Sequence, residues 1–117
     1  MTQLKHAILA ADDLPREAIA TPEWPGTDGK LFVRTMTAAE RVAFSLSLSD
    51  RDDNPRLDNY WARLAVLTLT DAEGKRVFED ADAEALGRKS GDVLARVAAA
   101  AKRLNGLGEY QESARKN

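Results

Sequence analysis

Leu31-Phe32-Val33-Arg34-Thr35-Met36-Thr37-Ala38-Ala39-Glu40 decides the fold, because the chain changes its structural period within it. Leu31 to Met36 is a β-leaning run. Thr37-Ala38-Ala39-Glu40 is a capping box: the Thr37 hydroxyl accepts from the third helical amide, and the Glu40 carboxylate reaches back to the Thr37 amide. A strand therefore runs straight into a helix, which is expected to continue to about Ser49. Ser45-Leu46-Ser47-Leu48-Ser49 also alternates like a strand, which leaves the helix end open. The apolar residues of this helix divide between two faces. Ala39, Val42, Ala43 and Leu46 share one, and Phe44 and Leu48 project from the other at about 100° per residue.

Upstream, Thr21-Pro22-Glu23-Trp24 is a second β-leaning run, and Pro25-Gly26-Thr27-Asp28-Gly29-Lys30 is a loop between the two. The pair reads as a hairpin with Trp24 as its aromatic anchor. A lone hairpin is marginal in water, so it is expected to lie against helices. Before it, Leu4, Ile8 and Leu9 fall at helical spacing until Asp12-Asp13-Leu14-Pro15.

Downstream, Asp50-Arg51-Asp52-Asp53-Asn54-Pro55-Arg56 is a charged loop. Leu57, Tyr60, Trp61, Leu64 and Leu67 then mostly keep the helical period, with Asp58-Asn59 available as caps. Leu64-Ala65-Val66-Leu67-Thr68-Leu69-Thr70 also fits a strand that turns at Asp71-Ala72-Glu73-Gly74 into Lys75-Arg76-Val77-Phe78; the helix is preferred. Asp80 is placed to cap a short helix to Leu86, and Ser90 a longer one with an apolar stripe of Val93, Leu94, Val97, Ala98, Ala101 and Leu104. Gly106 and Gly108 break that helix, and residues 109–117, anchored only by Tyr110, are expected to fray. The expected architecture is one mainly α-helical domain over residues 1–117, carrying an N-terminal β-hairpin.

Composition bounds the function. The 117 residues carry 17 basic and 19 acidic side chains, one histidine and no cysteine. Of the 51 apolar residues 20 are alanine, which leaves 31 large side chains for a modest core. Without cysteine there is no disulfide, thiolate metal site or thiol nucleophile. A net charge of −2 gives no general attraction to nucleic acid or an anionic membrane. The short apolar run at Ala7-Ile8-Leu9-Ala10-Ala11 is too brief for a signal peptide or a membrane span, so a cytoplasmic setting is expected.

No motif gathers catalytic groups. His6 lacks a nucleophile context. Asp50, Asp52 and Asp53 resemble part of a calcium loop without its glycine and final glutamate. The carboxylates at Glu79, Asp80, Asp82 and Glu84 are explained by a helix start, and Gly87-Arg88-Lys89-Ser90-Gly91 lacks the phosphate-loop spacing. No catalytic residue, metal or cofactor is expected. The basic stretch Arg88, Lys89, Arg96, Lys102 and Arg103 has one acid, Asp92, within it. Its helix offers alanines rather than base-reading amides, so it reads as a solvated face and not a nucleic-acid site. What stands out is an interaction surface: Phe44 and Leu48 opposite another apolar face, and alanines at 98–101 that admit a second helix.

The order Ile8-Leu9-Ala10-Ala11-Asp12-Asp13-Leu14-Pro15, Thr21-Pro22-Glu23-Trp24-Pro25-Gly26 and Leu31 through Arg41, followed by Asp71-Ala72-Glu73-Gly74-Lys75-Arg76-Val77-Phe78 and Arg103-Leu104-Asn105-Gly106-Leu107, resembles the tail assembly chaperones of long-tailed bacteriophages and prophages. The resemblance implies a non-catalytic protein of the host cytoplasm, absent from the virion. It implies a client, the apolar tape measure protein, kept soluble until tail tube subunits polymerise around it. It also implies a longer, frameshifted product whose extension contacts tube subunits. Arg115-Lys116-Asn117 permits a slippery A-AAA-AAY sequence, although 11 arginines against 6 lysines suggest a GC-rich genome in which AAA is disfavoured. On this reading Phe44 and Leu48 contact the client, with Trp24 and Tyr110 behind them, and the alanine-rich helices suit packing against a client or a second copy. The rival classes are a virion structural or tail-completion protein and, behind it, a small DNA-binding regulator.

Overall fold

The computed structural model describes residues 2–107. Its centre is the strand-to-helix junction: β2 (Phe32–Arg34) leads into α2 (Ala38–Leu46), whose first turn is closed by the capping box. The Glu40 amide donates to Thr37 Oγ1 at 3.1 Å and the Thr37 amide donates to Glu40 Oε1 at 2.9 Å. The helix stops at Leu46, short of Ser49. The Ser47 hydroxyl donates to the Phe44 carbonyl at 2.6 Å, giving that carbonyl a partner at the helix end.

The hairpin exists, but its first strand is not Thr21–Trp24. β1 (Arg16–Ala18) pairs antiparallel with β2, Arg16 opposite Arg34 and Ala18 opposite Phe32. Thr21 to Trp24 is a turn in the connecting loop, where the Trp24 amide donates to the Thr21 carbonyl at 2.9 Å and the Thr27 hydroxyl donates to the Trp24 carbonyl at 2.8 Å. Pro22 has no amide hydrogen to give a ladder, and the Thr21 and Thr27 hydroxyls, 2.7 Å apart, fasten the turn.

The helix-or-strand ambiguity at 64–70 is divided. α3 (Tyr60–Thr68) takes most of it, and β3 (Leu69–Thr70) peels away to pair with β2, giving the sheet order β1-β2-β3. The turn at Asp71 to Gly74 follows, and Thr70 bridges to Arg76. Asp71 Oδ1 accepts from the Glu73 and Lys75 amides at 2.9 Å each, and Gly74 takes φ +85°, where a side chain is strained. Asn59 stands at the start of α3, but neither its side chain nor that of Asp58 caps the helix. A 3-10 turn (Asp80–Asp82), capped by Glu79 rather than Asp80, leads into the single turn α4 (Ala83–Leu86). α5 (Gly91–Asn105) follows Ser90 and ends at Gly106, φ +71°. The first helix, α1 (Thr2–Ala10), buries none of its residues.

The core lies between the sheet, α3 and α5, around Val33, Leu64, Leu69 and Val97. Ala98 and Ala101 do admit a second helix closely, and it is the chain's own α3, where Ala62 and Ala65 are equally buried. Asn105 is a buried polar residue that the periodicity of the sequence gives no sign of. Its Oδ1 accepts from the Met36 amide at 2.8 Å and its Nδ2 donates to the Ala101 carbonyl at 2.8 Å, tying the end of α5 to the β2–α2 junction. Asn105→Leu leaves the Met36 amide buried without an acceptor. The expected loss is about 1–3 kcal/mol in urea unfolding, and a neutral result would mean that water replaces the carboxamide.

Candidate functional site

α2 decides which apolar side chains the protein offers. Phe44 points inward: it is 4% exposed and its ring centre lies 5.6 Å from that of Tyr60. The reading of Phe44 as an outward contact is therefore corrected. The helix ends before Leu48, which leaves the helical phase of Phe44 and packs half-buried against the core. Ala39, Val42, Ala43 and Leu46 form the outward face, with Val42 60% and Leu46 72% exposed. The two faces were legible in the sequence, and their orientation was not. Tyr60, sixteen residues on from Phe44, supplies the aromatic partner that draws Phe44 inside.

Beside this stripe Ala43 borders a cleft of about 200 Å³, also lined by Phe44, Leu67 and Ala83. Trp24 is half-buried against the core and lines a wider cleft of about 600 Å³ with Pro25, Val77, Phe78 and Ala85. Phe44 and Trp24 thus line different clefts. Tyr110 lies outside the described residues. Reasoning from periodicity missed Leu57, Trp61 and Val77 as surface residues; each sits at or near an element boundary, where the phase of the apolar pattern carries no orientation.

The three arginines of the basic stretch are held in ion pairs. Arg96 grips Glu23 with two hydrogen bonds, at 2.9 and 2.7 Å, and that contact holds the Glu23 carboxyl down to about 2. Arg103 holds Glu17 in the same way, and its hydrogen bond keeps that carboxyl below its ordinary value. Arg88 reaches Glu84 at 3.4 Å, and the Lys102 ammonium lies 4.8 Å over the Tyr60 ring. A phosphate backbone would have to displace these partners. At the acidic loop, Asp50 Oδ1 accepts from the Asp52 and Asn54 amides at 2.8 and 3.0 Å, so its carboxylate folds the turn. Among the described residues no group of three or more histidine, aspartate or glutamate side chains is arranged to hold a metal, and no helix is long and apolar enough to cross a membrane.

A small helical domain on a three-stranded sheet, with apolar side chains left outward on its helices, has the character of a protein that docks others. The comparisons give that class its family: the profile described as phage tail assembly chaperone matches residues 3–117, and the chain belongs to that family. The solved structure of the bacteriophage HK97 tail assembly chaperone is 20% identical to this chain and superposes with a TM-score of 0.60, covering 89% of this chain and 95% of that one. The two share a fold. No curated protein sequence matches the chain.

Proposed function

We propose that this chaperone binds and solubilises the tape measure protein before the tail tube polymerises, and that the outward face of α2 is a principal contact. The observation that carries the reading is the exposure of Val42 and Leu46 on a helix whose opposite face is held in the core. Large apolar side chains left in water on a regular helix suit an amphipathic client segment, which shields them and is shielded in return. Burying a valine or leucine fully is worth about 1.5–3 kcal/mol, so one such contact is weak enough for tube subunits to displace. Many copies along a long client make the protection effective. Leu48, beyond the end of α2, and Trp24, in its separate cleft, are further candidate contacts, with Tyr110. The chaperone acts in the host cytoplasm and is left out of the virion, and a longer product slipping at the Lys116 codon reaches tube subunits.

Co-expression of the tape measure protein with the Val42→Asp, Leu46→Asp double variant tests this. Both side chains are exposed, so the variant is expected to melt within a few degrees of the unsubstituted protein, while soluble tape measure protein falls several-fold. Unchanged copurification with the double variant would remove this face as the site.

A further inference from the structure

We infer that Asn105 is a modification site: when the end of α5 opens, its side-chain amide is lost without an enzyme, and the loss unfastens α5 from the β2–α2 junction irreversibly. Of the four asparagines in the chain, Asn105 alone is followed by glycine. Glycine has no Cβ to shield its amide nitrogen from the preceding side chain. The Gly106 nitrogen attacks Asn105 Cγ; a C–N bond forms, the Cγ–Nδ2 bond breaks, and ammonia leaves carrying the Gly106 amide proton. The cyclic imide that remains is opened by water at either carbonyl. One opening gives aspartate, and the other gives isoaspartate, in which the main chain runs through the former side chain. Water is the only co-reactant, and no group is oxidised or reduced.

The fold restrains every participant in this step. Asn105 is buried, and its Nδ2, the leaving group, donates to the Ala101 carbonyl at 2.8 Å and to the Arg34 carbonyl at 3.5 Å. Its Oδ1 accepts from the Met36 amide at 2.8 Å, which fixes the carbon that must be attacked. The nucleophile is engaged as well, because the Gly106 amide donates to the Arg103 carbonyl at 3.3 Å. Arg41 Nη1 donates to the Asn105 carbonyl at 2.7 Å and holds the peptide link between the two reacting residues. Cγ reaches the Gly106 nitrogen only after Asn105 leaves its helical backbone and these partners. The reaction therefore proceeds from the small population in which the helix end has opened.

Neither product fits back. An ionised carboxylate only accepts hydrogen bonds, so aspartate at 105 sets an oxygen against the Ala101 and Arg34 carbonyls where Nδ2 donated. Burying that charge beside two acceptors is unfavourable. Isoaspartate also lengthens the main chain by one carbon just before Gly106, whose φ of +71° closes the end of α5. Either way the tie between α5 and the Met36 amide is weakened, and reclosure does not restore it. Asn105 thus turns a reversible opening of the helix end into a permanent one.

Incubation of the full-length protein in mildly alkaline buffer, with and without denaturing urea, tests this by intact mass and peptide mapping. Mapping separates residue 105 from Asp28-Gly29, which can form isoaspartate without any change of mass. In urea the mass gain of amide-to-acid conversion is expected at Asn105, and in the folded protein it is expected at least about a hundredfold more slowly. Arg41→Ala removes an exposed side chain that steadies the Asn105 carbonyl, so it should speed the folded-state reaction several-fold and leave the rate in urea unchanged. Gly106→Ala adds a Cβ that meets nothing within 4 Å in the fold, yet it should slow the reaction in urea by crowding the nucleophile. Asn105→Asp, which mimics one product, is expected to melt several degrees below the unsubstituted protein. No conversion at Asn105 in urea, or no slowing by Gly106→Ala there, would remove the site. Equal rates in the folded and unfolded protein, or an unchanged folded-state rate in Arg41→Ala, would remove the gate. An Asn105→Asp protein that melts with its parent would show that the modification unfastens nothing.

Discussion

Replacing Glu40 with alanine is expected to cost about 3–5 kcal/mol of folding stability, the usual penalty for stripping a buried charge of its partner. The charge is that of Arg34, which is 5% exposed and stands at the end of β2, the central strand of the sheet. Its Nη2 donates to both carboxylate oxygens of Glu40 at 2.9 Å and to the Leu67 carbonyl at 3.1 Å, while its Nε, also buried, has no acceptor. The same carboxylate closes the capping box through the Thr37 amide, and Arg76 approaches it at 3.8 Å. One side chain thus starts a helix and neutralises a buried guanidinium. Glu40→Gln keeps an acceptor and a similar shape but removes the charge, so its loss is expected to be smaller.

The sign of the pH dependence follows. Burial is the largest influence on the Glu40 carboxyl and raises it, but the Thr37 amide and the Arg34 guanidinium together outweigh burial and hold it below its ordinary value. A carboxyl depressed by folding contributes stability that is complete above its unfolded value and is lost as pH falls through its folded one. The protein is therefore expected to lose stability on acidification through and below the ordinary glutamate range. Urea unfolding at neutral and acid pH reads this directly. If the Glu40→Gln variant shows the full acid sensitivity of the unsubstituted protein, Glu40 is not its source.

Phe44→Ala and Leu46→Ala, two residues apart on α2, are expected to differ sharply. Phe44 is buried and tilted at 54° against Tyr60, and truncating such a ring leaves a cavity that costs about 3–5 kcal/mol. Leu46 is 72% exposed, and its truncation is expected to change stability by no more than about 0.5 kcal/mol. In thermal unfolding the first variant should melt more than about 10 °C lower and the second should barely move. Equal effects would mean that the helix is rotated from the orientation seen here. The contrast also governs any binding experiment: a Phe44 variant that fails to solubilise its client has failed by unfolding, whereas a Val42 or Leu46 variant that fails has done so while folded.

Much of the fold was legible because its signals are local. The capping box names its partners three residues apart, and Gly106 ends α5 in the left-handed conformation that glycine adopts most easily. The longer helices were found from their period, and the family resemblance rested on the order of such pieces. The first strand was misplaced because Arg16-Glu17-Ala18 has no strand character of its own; it becomes a strand by pairing with β2, while Thr21–Trp24, richer in β-formers, is held as a turn. The ambiguous Leu64–Thr70 segment split for a similar reason: helix packing against α5 claims its first part, and an open edge on β2 claims the last two residues.

The sequence alone determined where α2 begins and where α5 ends, the class of protein, and the fact that α2 carries two apolar faces. Those follow from hydrogen bonds and side-chain spacings that close within a few residues. Only the tertiary structure decided which face of α2 is buried, since that depends on Tyr60, and which side chains remain outside for a partner. Likewise only the fold brings Arg34 to Leu67 and Met36 to Asn105, contacts 33 and 69 residues apart. A periodic pattern states that a helix has an apolar face; the elements that pack on it decide whether that face is core or surface.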